Sequence, residues 1–428
     1  MKKAPLFATG ILVLSLLVTG LSGCGKSGWN DPQASLASTA ADRGETVRSI
    51  RVATTFTGED AYRYVWQQVL KDFAAEHPEI KVIDEATGAS GDAFKIKINT
   101  DFASGNEPDV TYGFNGVLGK PLVDSGKVIG WEEELAADPA WAANFKPDTL
   151  ETCKYKGKLY ALPFLGFFEG MWVNRDVFEQ CGLEIPKTYE DILKSIPVLR
   201  SHGIAPIACA FSDEPHYIIE TFLLAAGGKT GHSNLFDPSW SKALELIKKL
   251  YEEKAFTQDA LTIRQGTCAE LFADKKAAMF ISGSWSRGYI KDYENTVVIP
   301  LPAVPGGQAD STEIIGGAGT GWYLTGDLNK EKNGAGLTFI KYMTQPKVVA
   351  KFVEVAGVPL INCEIKAKTP LDQSCLDLMN RASSINGAVG DVLGQEVFGS
   401  IWHGLSSVVT GKKTAGQVLD DAAKLYYR

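Results

Sequence analysis

The ordered alternation of strand-like and helix-like segments that begins near Ser49 is the strongest constraint on how this chain can fold. Ile50-Arg51-Val52-Ala53-Thr54-Thr55-Phe56 reads as a strand, and Tyr62, Val65, Trp66, Val69, Leu70, Phe73 and Ala74 then recur at the spacing of one helix face until Pro78 stops it. A strand at 80–83, a helical stripe of Phe94, Ile98 and Phe102, and a third strand from Asp109 complete the unit. Strands joined through helices run parallel, so this order predicts an α/β fold built on a mostly parallel sheet with helices on both faces. The pattern returns later, with strands at 160–163, 170–173, 204–207 and 278–281 and helices at 217–226, 241–254 and 267–274. Thr188 with Asp191, and Thr414 with Gln417, have the spacing of capping boxes at helix starts. At 428 residues and 45% hydrophobic, the chain is long enough for two such units, each with its own core. No fixed-period repeat points to a solenoid.

The N-terminus carries an address. Lys2 and Lys3 precede an apolar run at 5–21 that has the order of a secretory signal and is short for a bilayer span of roughly 20 residues. It ends in Leu21-Ser22-Gly23-Cys24, which resembles a bacterial lipobox. That resemblance implies a signal peptide over 1–23 and a mature chain starting at Cys24 with lipid on its sulfur, held on the outer face of the cell membrane. Residues 24–48, rich in Ser, Ala, Gly, Asp and Thr, read as a flexible tether. No later apolar run reaches spanning length.

Charge and side-chain chemistry exclude several classes. The formal net charge of −8, more negative still once Lys2 and Lys3 are removed, is unsuited to gripping nucleic acid phosphates. Five histidines at 77, 202, 216, 232 and 403 include no pair at the spacing of a helical zinc motif, and no cofactor or metal is expected. Beyond Cys24, six cysteines remain at 153, 181, 209, 268, 363 and 375. Only Cys363 and Cys375 are near neighbours; either they form a disulfide or all six are small buried hydrophobes.

The run Phe102-Ala103-Ser104-Gly105-Asn106-Glu107-Pro108-Asp109-Val110 packs a helix end, a Gly stop and a strand start together. It is similar to the FxxGxxPDV segment of the extracellular solute-binding proteins that serve ABC importers, the family of maltose-binding protein. Further segments agree in order: Gly119-Lys120-Pro121-Leu122-Val123-Asp124-Ser125-Gly126, Tyr155-Lys156-Gly157-Lys158-Leu159-Tyr160-Ala161-Leu162-Pro163, Asn174-Arg175-Asp176-Val177-Phe178, and Gly182-Leu183 with Pro186-Lys187-Thr188-Tyr189. Glu214-Pro215, Gly227-Gly228, Gly283-Ser284-Trp285, Gly316-Gly317 and Thr410-Gly411-Lys412-Lys413-Thr414 follow. The resemblance implies a two-lobe, periplasmic-binding-protein-like fold that closes on a ligand between its lobes. It places 49–162 with 313–360 in an N-terminal lobe and 163–312 with 361–428 in a C-terminal one. The implied partners are a carbohydrate and an ABC permease, with the chain itself a monomer.

Sugars offer flat C–H faces and rings of hydroxyls, so a sugar site needs aromatic platforms and hydrogen-bonding side chains. The chain has 9 Trp, 14 Tyr and 20 Phe, most of which must serve packing. Trp285 follows a strand end that turns through Gly, and in the family a Trp in this motif stacks on sugar. Glu214 and His216 match the family's Glu-Pro-Tyr segment, with His216 in place of an aromatic ring. Tyr112, Phe114 and Asn115 end the third strand, while Thr57 and Glu59 follow the first, with turn capping as their other role. Glu169 and Trp172 lie just past the expected first crossing at Pro163. Gly317 and Trp322 flank a glycine-rich return that lacks the Gly-Lys-Ser/Thr ending of a phosphate loop. Either Phe398, by spacing, or Trp402, by residue type, answers to the family's C-terminal stacking Trp, and residue type favours Trp402. These residues point to a carrier that releases its ligand unchanged; a carrier for peptides or polyamines and an exported glycan-cleaving enzyme are the alternatives.

Overall fold

The computed structural model describes residues 46–58, 60–88, 91–310 and 312–428. The leader, Cys24, most of the tether and Glu59 lie outside them. Two sheets organise the chain. In the first, β1 (Arg48–Ala53) pairs in parallel with β2 (Ile80–Asp84) and β3 (Val110–Phe114), and β10 (Thr320–Leu324) and β4 (Leu162–Pro163) extend the sheet antiparallel. The second centres on a ten-residue strand, β5 (Leu165–Asn174). It is flanked by β7 (Ala277–Gly283), β8 (Thr296–Ile299) and β9 (Glu313–Gly317), all antiparallel to it. β6 (Ala205–Ala208) and β12 (Ser384–Asn386) add the parallel edges, and the short β11 (Val358–Pro359) caps the start of β5.

The two-lobe α/β expectation holds, but each sheet is mixed: β1, β2 and β3 run parallel, as do β6 with β7 and β9 with β12, while the remaining pairings are antiparallel. β10, which follows β9 of the other sheet, enters antiparallel to β3. Both sheets are sandwiched. Ile50, Val52, Tyr112 and Trp322 face one apolar cluster of the first lobe, and Ala53 and Tyr323 face another with Phe94, Ile98 and Phe102. Met171, Val173, Met279 and Ile281 face one cluster of the second lobe, and Trp172 and Phe280 the other. Period-two alternation along a strand buried on both faces therefore sends Trp172 and Trp322 into cores rather than toward a ligand.

Local chemistry fixes the elements. Thr188 with Asp191 and Thr414 with Gln417 form the expected capping boxes, and a third, Thr369 with Asp372, starts the helix Pro370–Arg381. The Asp of the Pro-Asp-Val run is structural: fully buried, Asp109 accepts from the Arg51 backbone N–H at 2.7 Å and pairs with Lys332 Nζ at 2.7 Å. All six cysteines among the described residues are free, so Cys363 and Cys375 are not bonded: Cys363 packs beside the first lobe's core and Cys375 beside the second's.

The chain passes from the first sheet to the second between β4 and β5 and back between β9 and β10, and after Ile361 in the first lobe's core Leu371 packs in the second's. Glu313 to Gly317, expected with the first lobe, pairs instead with β5 and β12 of the second. Ile361 bridges Phe145, which keeps it with the first lobe. At the second crossing backbones pass too closely for side chains: a Cβ on Gly316 would sit 2.6 Å from the Phe167 carbonyl oxygen, and Gly317 has φ +130°. Arg287 ties the lobes beside this hinge, donating from Nη1 to the Glu354 carbonyl at 2.7 Å and pairing with Asp372.

Candidate functional site

Phe167 and Glu169 alternate on one face of β5, and Glu169 lies opposite Gly283 at the end of β7. A Cβ on Gly283 would fall 2.1 Å from the Trp285 ring, so only glycine lets that indole fold back over the strand end. Trp285, half-buried, meets Phe167 at 6.0 Å and Tyr217 at 5.2 Å between ring centroids. Tyr217 and His216 open the helix His216–Ser233, their rings 3.9 Å apart, and His216 in turn meets Trp402 at 5.4 Å. The result is a continuous aromatic wall on the second lobe.

Carboxylates gather behind and beside this wall. Glu169 and Glu220 are 3% and 1% exposed, and each leaves Oε2 without a hydrogen-bond partner. Glu220 Oε1 accepts from the Gly390 N–H at 3.3 Å, which brings in Asp391 at the start of the helix Val389–Val409. Burial raises all three acids: Asp391 to about 7 against the pull of Lys95, Glu220 to about 8 with repulsion from Asp391 added, and Glu169 well above the usual carboxylate range with repulsion from Glu220 and Asp391 added. Burial, with help from Lys95, pushes His216 down to about 3, so this ring is neutral at physiological pH. Glu214 holds φ +50°, a strained value for a non-glycine, and its Oε2 accepts from the Tyr217 hydroxyl at 3.3 Å.

The first lobe contributes the facing side. Lys95 Nζ lies 4.5 Å from the centre of the Phe114 ring, and its charge reaches His216, Glu220 and Asp391 on the other lobe. The Val117 N–H donates to the Asp391 carbonyl at 3.3 Å across the gap. Asn115 is 7% exposed; its amide donates to the Ala318 carbonyl at 2.7 Å, tying β3 to the crossing, while its Oδ1 has no partner.

The structure thus brings together Phe114, Asn115, Glu169, Glu214, His216, Trp285 and Trp402 around the gap, with Gly317 in the hinge beside them. It places Tyr112, Trp172 and Trp322 in the cores. Trp322 has no exposed surface and is enclosed by Trp66, Tyr112, Phe164 and Phe339. Tyr112 is held in the same cluster, its hydroxyl accepting from Thr320 at 2.7 Å. Trp172 is equally enclosed and donates from Nε1 to the Ser282 carbonyl at 3.1 Å. Thr57 sits in a backbone turn, its carbonyl accepting from Asp60 at 3.1 Å. Phe398 is a core residue, whereas Trp402 is half-buried with Nε1 unpartnered. Sequence reasoning missed Lys95, Phe167, Tyr217, Glu220 and Asp391. For Glu220 there was a signal, because a carboxylate inside Tyr217-Ile218-Ile219-Glu220-Thr221-Phe222-Leu223 cannot be a solvated helix face. Among the described residues no group of side chains is arranged to hold a metal.

The acids make an empty site sensitive to pH. A carboxyl whose folded pKa is raised stabilises the protein below its unfolded value and loses that contribution as pH rises through the folded one. Glu220 and Asp391 therefore destabilise the ligand-free protein as pH climbs from the unfolded carboxyl range up through about 7 and 8, and the window from about 7 to 8 lies above the midpoint of unfolded histidine. Tm should fall across that window, and Glu220→Gln with Asp391→Asn should flatten the fall. An unchanged slope in the double variant would place the titration elsewhere.

Comparison with known proteins fits this geometry. The profile of the bacterial extracellular solute-binding proteins matches residues 58–350. The chain is similar to the melibiose/raffinose/stachyose-binding protein MelE of Bacillus subtilis, 23% identical over 84% of this chain and 82% of that one. It is also similar to a maltotriose-binding protein of Pyrococcus abyssi, 25% identical over 70% and 64% respectively. Among solved structures, a chitin oligosaccharide binding protein superposes with TM-score 0.79 at 21% identity, covering 88% of this chain and 98% of that one. RafE in complex with raffinose gives TM-score 0.72 at 17% identity, with the same coverage. The profile spans well over half of the chain, and two sandwiched sheets joined by three crossings meet around an aromatic and acidic gap; this chain belongs to the bacterial extracellular solute-binding protein family.

Proposed function

We propose that this chain is the capture subunit of an ABC importer, taking a mono- or oligosaccharide into the gap between its lobes and passing it intact to a membrane permease. The observation that carries this reading is the aromatic wall of Phe167, Trp285, Tyr217 and Trp402 set beside orphaned carboxylate oxygens of Glu169 and Glu220. A ring stacks on a C–H face while an acceptor takes a hydroxyl, and neither alone selects a sugar. Ligand contacts made by both lobes exist only when the gap is shut, so binding favours closure, and closure is what a permease can read.

The relatives' names direct the first screen: raffinose, stachyose, melibiose, maltotriose and chitin oligosaccharides. A sugar that binds only the folded chain stabilises it by about 2.7 kcal/mol at one hundred times its Kd and so raises Tm. A flat response to the whole set, with peptides or polyamines shifting Tm instead, would replace the sugar reading. The gathered acids invite a glycan-cleaving alternative, which needs two carboxyls flanking the scissile bond. Recovery of intact oligosaccharide after prolonged incubation supports the carrier, and cleavage products would support the enzyme.

The extracytoplasmic location follows from the family. No helix among the described residues is long and apolar enough to cross a membrane. We infer anchoring through lipid on Cys24, with the lobes acting as a monomer at the membrane's outer face. Cys24→Ala should move the protein from the membrane fraction to the soluble one, and retention in the membrane would count against the anchor.

A further inference from the structure

Resting on that sugar reading, we propose that the preferred ligand carries an ammonium group: an amino sugar or an oligosaccharide of amino sugars, its nitrogen seated among Glu169, Glu220 and Asp391. These acids come from three separate elements, β5, the helix His216–Ser233 and the helix Val389–Val409. Their surroundings do not neutralise them. Tyr217 and Glu214 face the cluster from the same lobe, His216 is neutral beside it, and Lys95 supplies a single positive charge from the opposite lobe. Ionising all three against one cation would leave negative charge with no countercharge, a costly arrangement that keeps the acids protonated until something brings one.

Independent orphaned groups mark the same space as a ligand site. The Oε2 atoms of Glu169 and Glu220 lack partners although both side chains are more than nine-tenths buried, and His216 Nδ1 and Trp402 Nε1 close by are also unpartnered. A structural acid cluster would be satisfied by protein donors. A neutral hydroxyl can donate one hydrogen bond to such an oxygen but brings no charge that would let the acids ionise. An ammonium supplies three donors and a full charge. Because the empty site holds its protons to unusually high pH, an arriving ammonium displaces them.

The test compares three disaccharides of matched length by calorimetry near pH 6: the β-1,4 dimer of glucosamine, its di-N-acetyl form, and cellobiose. The glucosamine dimer should bind at least tenfold more tightly than either neutral disaccharide. Titrations in two buffers of different ionisation enthalpy should show about one proton released per amine ligand bound and none with the neutral pair. Glu220→Gln should reduce the amine preference to a few-fold and lower proton release, weakening the amine dimer by more than it weakens either neutral disaccharide; circular dichroism and Tm confirm that the variant folds. Equal or tighter binding of cellobiose or the acetylated dimer overturns the amine assignment while leaving the sugar reading standing. Failure of all three to bind overturns it too, and the broader screen above then decides the sugar reading separately.

Discussion

Replacing Trp285 by Ala should weaken sugar binding by ten- to a hundredfold while leaving the fold and Tm nearly unchanged. The indole rests on Gly283 at a strand end and touches only Phe167 and Tyr217 among the aromatic rings, so its removal opens no enclosed cavity. It does remove the central platform of the wall. Loss of a stacked ring costs about 0.5–1.5 kcal/mol beyond the apolar area it covers, and that area adds a comparable amount. Calorimetry with any sugar that binds the parent protein reads the effect, and an unchanged Kd would remove Trp285 from the site.

Trp322→Ala should do the reverse. The ring is fully enclosed, stacked on Trp66 at 6.5 Å and crossed by Tyr112, Phe164 and Phe339. Emptying that volume in a sheet packed on both faces costs about 3–5 kcal/mol, because neighbours on rigid strands collapse only partly into the hole. Unfolding by denaturant should show the loss in the first lobe. The affinity of the remaining folded protein should change far less than for Trp285→Ala. If the two tryptophans exchanged these roles, the assignment of core and cleft would be wrong.

That contrast also marks what the sequence could reveal. Elements with their own local code were legible: the stripe from Tyr62 to Ala74 became the helix Arg63–Glu76, and the Thr188 and Thr414 boxes start helices as their spacing predicts. β5 was only half visible. Its first residues, Leu165 to Phe168, carry no alternating pattern and become strand because β9 and β11 from distant sequence pair with them. Which way a tryptophan points depends on strand register and on what lies across each face, so Trp172 and Trp322 read like ligand platforms until the sheets were seen to be covered on both sides.

The site itself divides the same way. Trp285, His216, Glu214 and Trp402 sit in motifs with family precedent, and they do converge around the gap. Lys95, Glu220 and Asp391 belong to no motif, and nothing local distinguishes Lys95 from a solvated lysine of the helix Gly91–Ser104. Their meeting is a product of long-range closure, visible only when both lobes are in place. Phe167 joins the wall through β5's alternation with Glu169, which required the strand to be known first.

The central claim is motion around an intact guest. Small-angle scattering of the folded chain, with and without a saturating sugar that calorimetry shows to bind, addresses it most directly. The account predicts a smaller radius of gyration with sugar present, as both lobes close on it, and return to the original curve when the sugar is dialysed away unaltered. Superimposable curves at saturation would contradict it.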